Sequence, residues 1–301
     1  MMLLHAHPEL DGGVSAFLKE VLLHGFLDTL KLLPLLFLTY LLMEFLEHKA
    51  SEKTERFLER SGPFAPAVGS AVGLLPQCGF SASAANLYTG RVITLGTLIA
   101  VFLSTSDEMI PILVAGNIKI TTLVYILAYK FLVALLVGFA IELVFKLFSI
   151  KREPMNIDEI CEEDNCHCER GIFYSAFHHT LTISLFVFAV TLVLNSVIFF
   201  VGEERLGIII GNVPVLSHFV SALIGLIPNC AASVVLATFA AEGIITSGAM
   251  LAGLFSGAGV GLVVLFKLNK KLKENLITVL ILISVGTLFG FIADFIPLLK
   301  I

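Results

Sequence analysis

A short pattern of proline, carboxamide and cysteine occurs twice in the chain, as Pro76-Gln77-Cys78 and as Pro228-Asn229-Cys230. The copies lie 152 positions apart (228 − 76) in a chain of 301 residues. With no gap, the same offset sets Gly73 on Gly225, Leu74 on Leu226, Ser81 on Ser233 and Ala85 on Ala237. It continues through Thr94/Thr246, Gly96/Gly248, Ala100/Ala252 and Ser104/Ser256. Self-similarity at a fixed offset marks an internal repeat. Both copies sit in strongly apolar surroundings. A duplicated apolar segment, cut by Pro and Gly in corresponding places of two halves, is the best pointer in a sequence to the binding site of a repeat-built transporter.

The surroundings decide the class. The chain is 57% hydrophobic and 14% charged, where soluble domains carry about 25% charged residues. Runs such as 32–43, 121–144, 183–200 and 276–291 approach or reach the roughly 20 residues that cross a bilayer. A polytopic protein of the cell (inner) membrane is therefore expected, with the lipid bilayer as its first partner. The net charge of −5 gives no reason to invoke nucleic acid. The first residues lack a basic, apolar leader, so insertion is expected to be directed by the first spanning helix.

Hydropathy divides each half into four apolar blocks, at about 27–47, 64–90, 94–116 and 121–148, then 175–201, 216–241, 245–267 and 275–297. The second block of each half is cut by its proline into two arms of about a dozen residues. At about 1.5 Å per residue such arms are too short to span, so a re-entrant hairpin is expected, with Ser81 and Ser233 placed to cap the second arms.

Charge then sets orientation. Loop 48–62 holds Lys49, Lys53, Arg56 and Arg60, and loop 267–274 holds Lys267, Lys270, Lys271 and Lys273. Their repeat-mates hold only Arg205 and Lys119. The positive-inside rule puts both basic loops in the cytoplasm. Non-crossing hairpins leave three crossings per half, which inverts the halves and brings the central loop, with Lys146, Lys151 and Arg152, inside as well. The expected fold is thus an all-α polytopic membrane protein of two inverted repeats, each with three spanning helices and one re-entrant helical hairpin. The N-terminal repeat would cover 1–148, a cytoplasmic Cys-rich loop 149–173, and the C-terminal repeat 174–301, with both termini outside.

Where the two hairpin tips meet, Cys78 and Cys230 are thiols at symmetric breaks. A helix N-terminus favours thiolate, and thiolate ligates soft metals and metalloids. The alternative is that a small residue simply packs at a tight turn. The third block is interrupted too, by Ser104-Thr105-Ser106-Asp107-Glu108 in the first half and by Ser256-Gly257-Ala258-Gly259 in the second. Irregular backbone at membrane depth survives only where protein or a water-filled cavity surrounds it, so these breaks are expected to line the same site. Asp107 and Glu108 would bind a cation or take up a counter-transported proton; a place at a helix end beside the interface is the plainer reading. Gln77, Asn229, Asn86, Ser81, Ser233, Ser104 and Ser106 offer uncharged oxygens nearby. Lys130 and Glu142 either face the bundle or snorkel to the interface.

The central loop adds Cys161, Cys166, His167 and Cys168, the donor set of a soft-metal or zinc site, among acids that would suit a cation-collecting segment. Its spacing is not that of a standard zinc finger, and an acidic linker with incidental thiols is the competing reading. No phosphate loop, nucleophile elbow or HExxH occurs, so no catalytic residues and no enzyme are expected. No cofactor is required; metal would be cargo, or bound by the loop.

The run Leu75-Pro76-Gln77-Cys78-Gly79-Phe80-Ser81, the Ser-Thr-Ser-Asp-Glu stretch, and the Cys-rich loop followed by Gly171 and His178-His179-Thr180 resemble a bacterial and archaeal family. It is a family of heavy-metal exporters with about ten membrane segments, labelled arsenic-efflux-like or manganese transporters. The Pro-x-Cys repeat is similar to that of the wider arsenic-permease group. Three crossings plus a two-armed hairpin per half give ten segments, as the resemblance implies. Its members often have more histidine in the central loop than the single His167 here. The reading is a secondary exporter of a soft or transition-metal cation or metalloid, an antiporter coupled to protons, for which a homodimer is compatible. A transporter of a small organic anion held by the hairpin N-termini, and a membrane metal sensor that transports nothing, are the alternatives.

Overall fold

A computed structural model describes residues 64–75, 79–105, 109–115, 118–148, 172–201, 214–228 and 230–301, with scattered helical positions between 26 and 41. All regular structure among these residues is helical. In chain order the helices are α1 (Ala65–Gly73), α2 (Gly79–Thr89), α3 (Leu95–Ser104), α4 (Met109–Ala115) and α5 (Ile120–Leu147). Then come α6 (Ile172–Val201), α7 (Pro214–Gly225), α8 (Cys230–Ala241), α9 (Ser247–Ser256), α10 (Val260–Leu268) and α11 (Leu272–Ala293), followed by a 3-10 turn at Pro297–Leu299.

The offset of 152 read from the sequence matches α1–α5 to α7–α11, and it holds at the level of single hydrogen bonds. After α2, the N–H groups of Gly90, Arg91, Val92 and Ile93 donate to the carbonyls of Asn86, Tyr88, Leu87 and Leu87. After α8, Glu242, Gly243, Ile244 and Ile245 donate to Thr238, Ala240, Phe239 and Phe239, each 152 positions on. Both turns need one left-handed residue, and Gly243 (φ 73°) supplies it without steric cost. Its counterpart is Arg91 (φ 60°), the single non-glycine with positive φ among the described residues. Thr94 and Thr246 then begin the next helices alike, each hydroxyl accepting the N–H three residues on (Thr97, 3.2 Å; Ala249, 3.0 Å). This is the N-cap that helix starts favour.

Close helix packing repeats too. A Cβ at Gly96 would lie 2.6 Å from the Gly138 carbonyl, and one at Gly248 would lie 2.4 Å from the Gly290 carbonyl. Small residues here let α3 approach α5 and α9 approach α11, as membrane helices do when no water drives them together. Within a repeat, α1 packs on α3 and α5, as α7 packs on α9 and α11. The helices that follow the two prolines reach across: α2 packs on α10 of the other repeat, and α8 on α4 as well as on α9. The halves interlock rather than sit side by side.

Among the described residues, three stretches are long and apolar enough to cross a membrane by themselves: Ile120–Leu147, Ser247–Leu268 and Leu272–Ala293. Their burial differs. The interrupted one, Ser247–Leu268, is 78% buried, whereas the unbroken helices α5 and α11 are only 33% and 28% buried, with Leu132, Leu136, Leu143, Leu280 and Leu288 turned outward. Unbroken apolar helices can face lipid because all their backbone groups are satisfied internally; broken ones cannot. The molecule is a polytopic membrane protein with its interrupted helices at the centre.

Candidate functional site

The break in the third block is real in both repeats. α3 stops at Ser104, Thr105 turns to ψ 129°, and the next described helix is Met109–Ala115. α9 stops at Ser256, and Gly259 adopts φ 52°, ψ −139° before α10, a conformation open essentially to glycine alone. The ends of α1 and α7 each abut the break of their own repeat. A Cβ on Gly73 would meet the Ser104 hydroxyl and the Val101 carbonyl, and one on Gly225 the Gly253 carbonyl and the Ser256 hydroxyl. The start of α2 reaches the other repeat, where a Cβ on Gly261 would lie 2.8 Å from the Ser81 carbonyl.

One side chain ties the two breaks together. Lys130, in α5, is fully buried, and its ammonium donates to the carbonyls of Thr105 and of Leu254, the latter at 3.1 Å. It also lies 5.7 Å from the centre of the Phe255 ring, within cation–π range. Both acceptors are products of the interruptions. Thr105 is the residue at which α3 ends. The Ala258 N–H, which would continue α9 by bonding Leu254, turns to Ser256 instead. The C-terminal ends of both half-helices, where the peptide dipoles carry negative partial charge, therefore converge on one cation. Of the two sequence readings of Lys130, the structure selects the bundle-facing one. A single lysine in an apolar helix looks the same in either case; only the position of those carbonyls decides.

The expected site residues fare differently. Ser104 is buried, with its hydroxyl bonded to the Ala100 and Val101 carbonyls (2.8 and 3.1 Å). Its mate Ser256 bonds Ala252 and Gly253 likewise and, in addition, Ala222 of α7 at 2.6 Å. Ser81 is buried and Ser233 half-buried. Neither caps its arm as expected: α2 is already helical at Gly79 and α8 at Cys230, so both serines lie inside the first turn. Cys230 begins α8. Gln77, Cys78, Ser106, Asp107, Glu108 and Asn229, with Cys161, Cys166, His167 and Cys168 of the central loop, lie outside the described residues. Asn86 is described. It is fully buried on α2, and neither its amide nitrogen nor its oxygen has a hydrogen-bond partner among the described residues. A buried orphan carboxamide costs roughly 1–3 kcal/mol.

Two further clusters sit at opposite ends of α11. At its first turn, Glu274 accepts from the Tyr88 hydroxyl (3.0 Å) and pairs with Arg91 (3.0 and 3.4 Å). Past its last turn, Asp294 accepts from the Gly248 N–H (2.7 Å) and the Thr246 hydroxyl (2.8 Å), and pairs with His218 (2.9 Å). Sequence reasoning missed both, although two signals were present. Glu142 and Asp294 are acidic mates at the offset of 152, and Thr94 and Thr246 are identical mates placed just before apolar helices.

A family profile described as "Putative, 10TM heavy-metal exporter" matches residues 22–181, more than half of the chain. No curated protein and no solved structure matches it.

Proposed function

The chain belongs to the family of ten-span heavy-metal exporters, and from that premise we propose that it exports a soft or transition-metal cation or metalloid in exchange for protons. The observation that carries this reading is the convergence of interruptions from both repeats around Lys130. Helix ends of two half-helices, the first hairpin arm of each repeat and the start of α2 all come to one buried place. In the sequence, those same interruptions bear Cys78, Cys230, Asp107 and Glu108. Thiolates select soft ions over the hard cations of the cytosol, and a carboxylate supplies charge and a proton-exchanging group.

The contacts along α11 support the inverted arrangement that alternating access needs. The turn at 90–94 touches its first turn through Arg91, while the repeat-mate of that turn, at 242–246, touches its far end through Thr246. A helix of 22 residues is about 33 Å long at 1.5 Å per residue, so corresponding turns of the two halves stand a membrane thickness apart. The expected sidedness agrees: Arg91 lies with the basic loop at 267–274, and Asp294 lies with the C-terminal end. Each hairpin then enters and leaves on one side.

An organic anion as cargo has one observation in its favour, the buried positive charge of Lys130. That ammonium is already directed at two carbonyls, which weakens the case. Proteoliposomes holding a pH gradient test the choice. Cd²⁺, Zn²⁺ or arsenite should move against proton flow, and carboxylate anions should not. If an organic anion moves while every metal stays put, the metal reading is wrong.

A further inference from the structure

A carboxamide has a donor and an acceptor to satisfy, and on Asn86 neither has a partner among the described residues. Other buried polar side chains return their bond to their own helix. The hydroxyls of Ser70, Ser104 and Thr180 donate to the carbonyls four residues back, at 2.8, 2.8 and 2.7 Å. Asn86 makes no such bond, and its zero exposure leaves no space beside it for a water molecule. Buried polar groups in folded proteins are almost always paired. A carboxamide left unpaired in one conformation points to a second conformation that pairs it.

The place of Asn86 on α2 says which conformation that is. Ser81, Ala85 and Tyr88 mark the face toward α10. A Cβ on Gly261 of α10 would lie 2.8 Å from the Ser81 carbonyl, and the Tyr88 hydroxyl reaches Glu274, just beyond α10. At about 100° per residue, Asn86 lies about 100° or more round the helix from each of these. It stands in a row with Ala82 and Gly90, and all three are buried. The mates of this row at the offset of 152 are Val234, Thr238 and Glu242. Val234 and Thr238 are half-buried and Glu242 is exposed. The mates of the α10 face change less: Ala237 and Ala240 stay buried, and Ser233 is half-buried. The row that carries Asn86 is therefore shut on α2 and partly open on α8.

We propose that this row of α2 lines the cytoplasmic entry passage, that the structure shows the passage shut, and that Asn86 is the residue through which water fills it when it opens. The inference rests on the exporter reading and its inverted halves. Alternating access turns one central site from one face of the membrane to the other. Halves related by inversion then trade places, so the opposite state gives α2 the surroundings that α8 has here. The row at 82, 86 and 90 opens, and water reaches both the donor and the acceptor of the carboxamide. The side follows from the chain: α2 ends at the turn 90–94, where Arg91 pairs with Glu274 beside the basic loop 267–274, and basic loops face the cytoplasm. A leucine at 86 would favour the shut state and resist wetting of the open one. Asparagine does the reverse, and so biases the equilibrium between the two states toward opening.

Thiol labelling from the cytoplasmic side tests the proposal. Asn86→Cys and Ala85→Cys each place a thiol at a fully buried position of the full-length chain. Inside-out vesicles are treated with a membrane-impermeant maleimide, and mass spectrometry reads the modified position, so the native cysteines stay. Position 86 should react at least about tenfold faster than position 85. Unfolding of α2 would expose both alike, so equal rates overturn the proposal. No reaction at 86, or reaction only from the outer face, overturns it too. Asn86→Leu adds a reading free of thiols: its thermal midpoint in detergent should stay level or rise, while Cd²⁺ transport in proteoliposomes falls at least about tenfold. A residue needed only for packing would lose stability and transport together. A lowered midpoint, or transport at the wild-type rate, counts against the proposal. If wild-type protein moves no metal at all, the exporter reading fails, and the labelling still decides whether α2 opens.

Discussion

The two interrupted helices at the centre of the molecule are copies of one segment, yet they carry different chemistry. In the first repeat the break reads Ser104-Thr105-Ser106-Asp107-Glu108; in the second it reads Ser256-Gly257-Ala258-Gly259-Val260. The scaffold around them is held in common. Ser104 and Ser256 close their helices with the same pair of backward hydrogen bonds, and Thr94 and Thr246 open them with the same cap. What differs is charge. One break has two acids in its sequence and the other has glycine, although both meet Lys130, whose counterpart in the second repeat is Leu282. Duplication supplies two matched interruptions, and divergence then leaves one to carry charge and the other to give room. The export proposed above, with a cation loaded on one side and unloaded on the other, would draw on this asymmetry.

The comparison can be broken most sharply at the glycines that end α1 and α7. A Cβ at Gly225 would stand 2.0 Å from the Gly253 carbonyl, which is backbone and cannot move aside. At Gly73 the nearest atom, also at 2.0 Å, is the Ser104 hydroxyl, with the Val101 carbonyl at 2.5 Å. Gly225→Ala should cost about 3 kcal/mol or more, and Gly73→Ala measurably less, because the nearest backbone atom there, the Val101 carbonyl at 2.5 Å, is farther away. Thermal unfolding in detergent reads the difference, and equal losses would mean that the second break is no tighter than the first.

A smaller effect is expected at the ends of the spanning helices. Asp294→Asn keeps the shape but weakens the bonds that hold Gly248, Thr246 and His218, and should cost about 1–2 kcal/mol. The smallest and most symmetric effect concerns the caps. Thr94→Ala and Thr246→Ala should each cost about 1 kcal/mol, with transport retained. Losses differing by more than a factor of two would show that the two repeats no longer share one scaffold.

Much of this was legible in the sequence, for identifiable reasons. The repeat, the two-armed second block and the interrupted third block follow from Pro76, Pro228 and an ungapped run of identities, and such punctuation acts locally. Lys130 was not legible as a central residue. A lone cation in α5 is equally consistent with snorkelling, and its partners are backbone carbonyls 25 and 124 positions away, which no side-chain pattern announces. The crossing of hairpin arms, α2 onto α10 and α8 onto α4, was hidden for the same reason: apolar faces of similar composition do not name their partners. The pairing of Arg91 with Glu274 had a partial signal, a charged residue at the position where the other repeat has Gly243.

The central claim is that the interruptions of both repeats build one soft-metal site. The chain has five cysteines, so replacing Cys161, Cys166 and Cys168 by serine leaves only Cys78 and Cys230. X-ray absorption of Cd²⁺ bound to that variant counts the sulfur atoms around the ion. Two sulfurs are predicted, falling to one on adding either Cys78→Ala or Cys230→Ala. A Cd²⁺ shell of oxygen and nitrogen alone, unchanged by either substitution, would contradict the account.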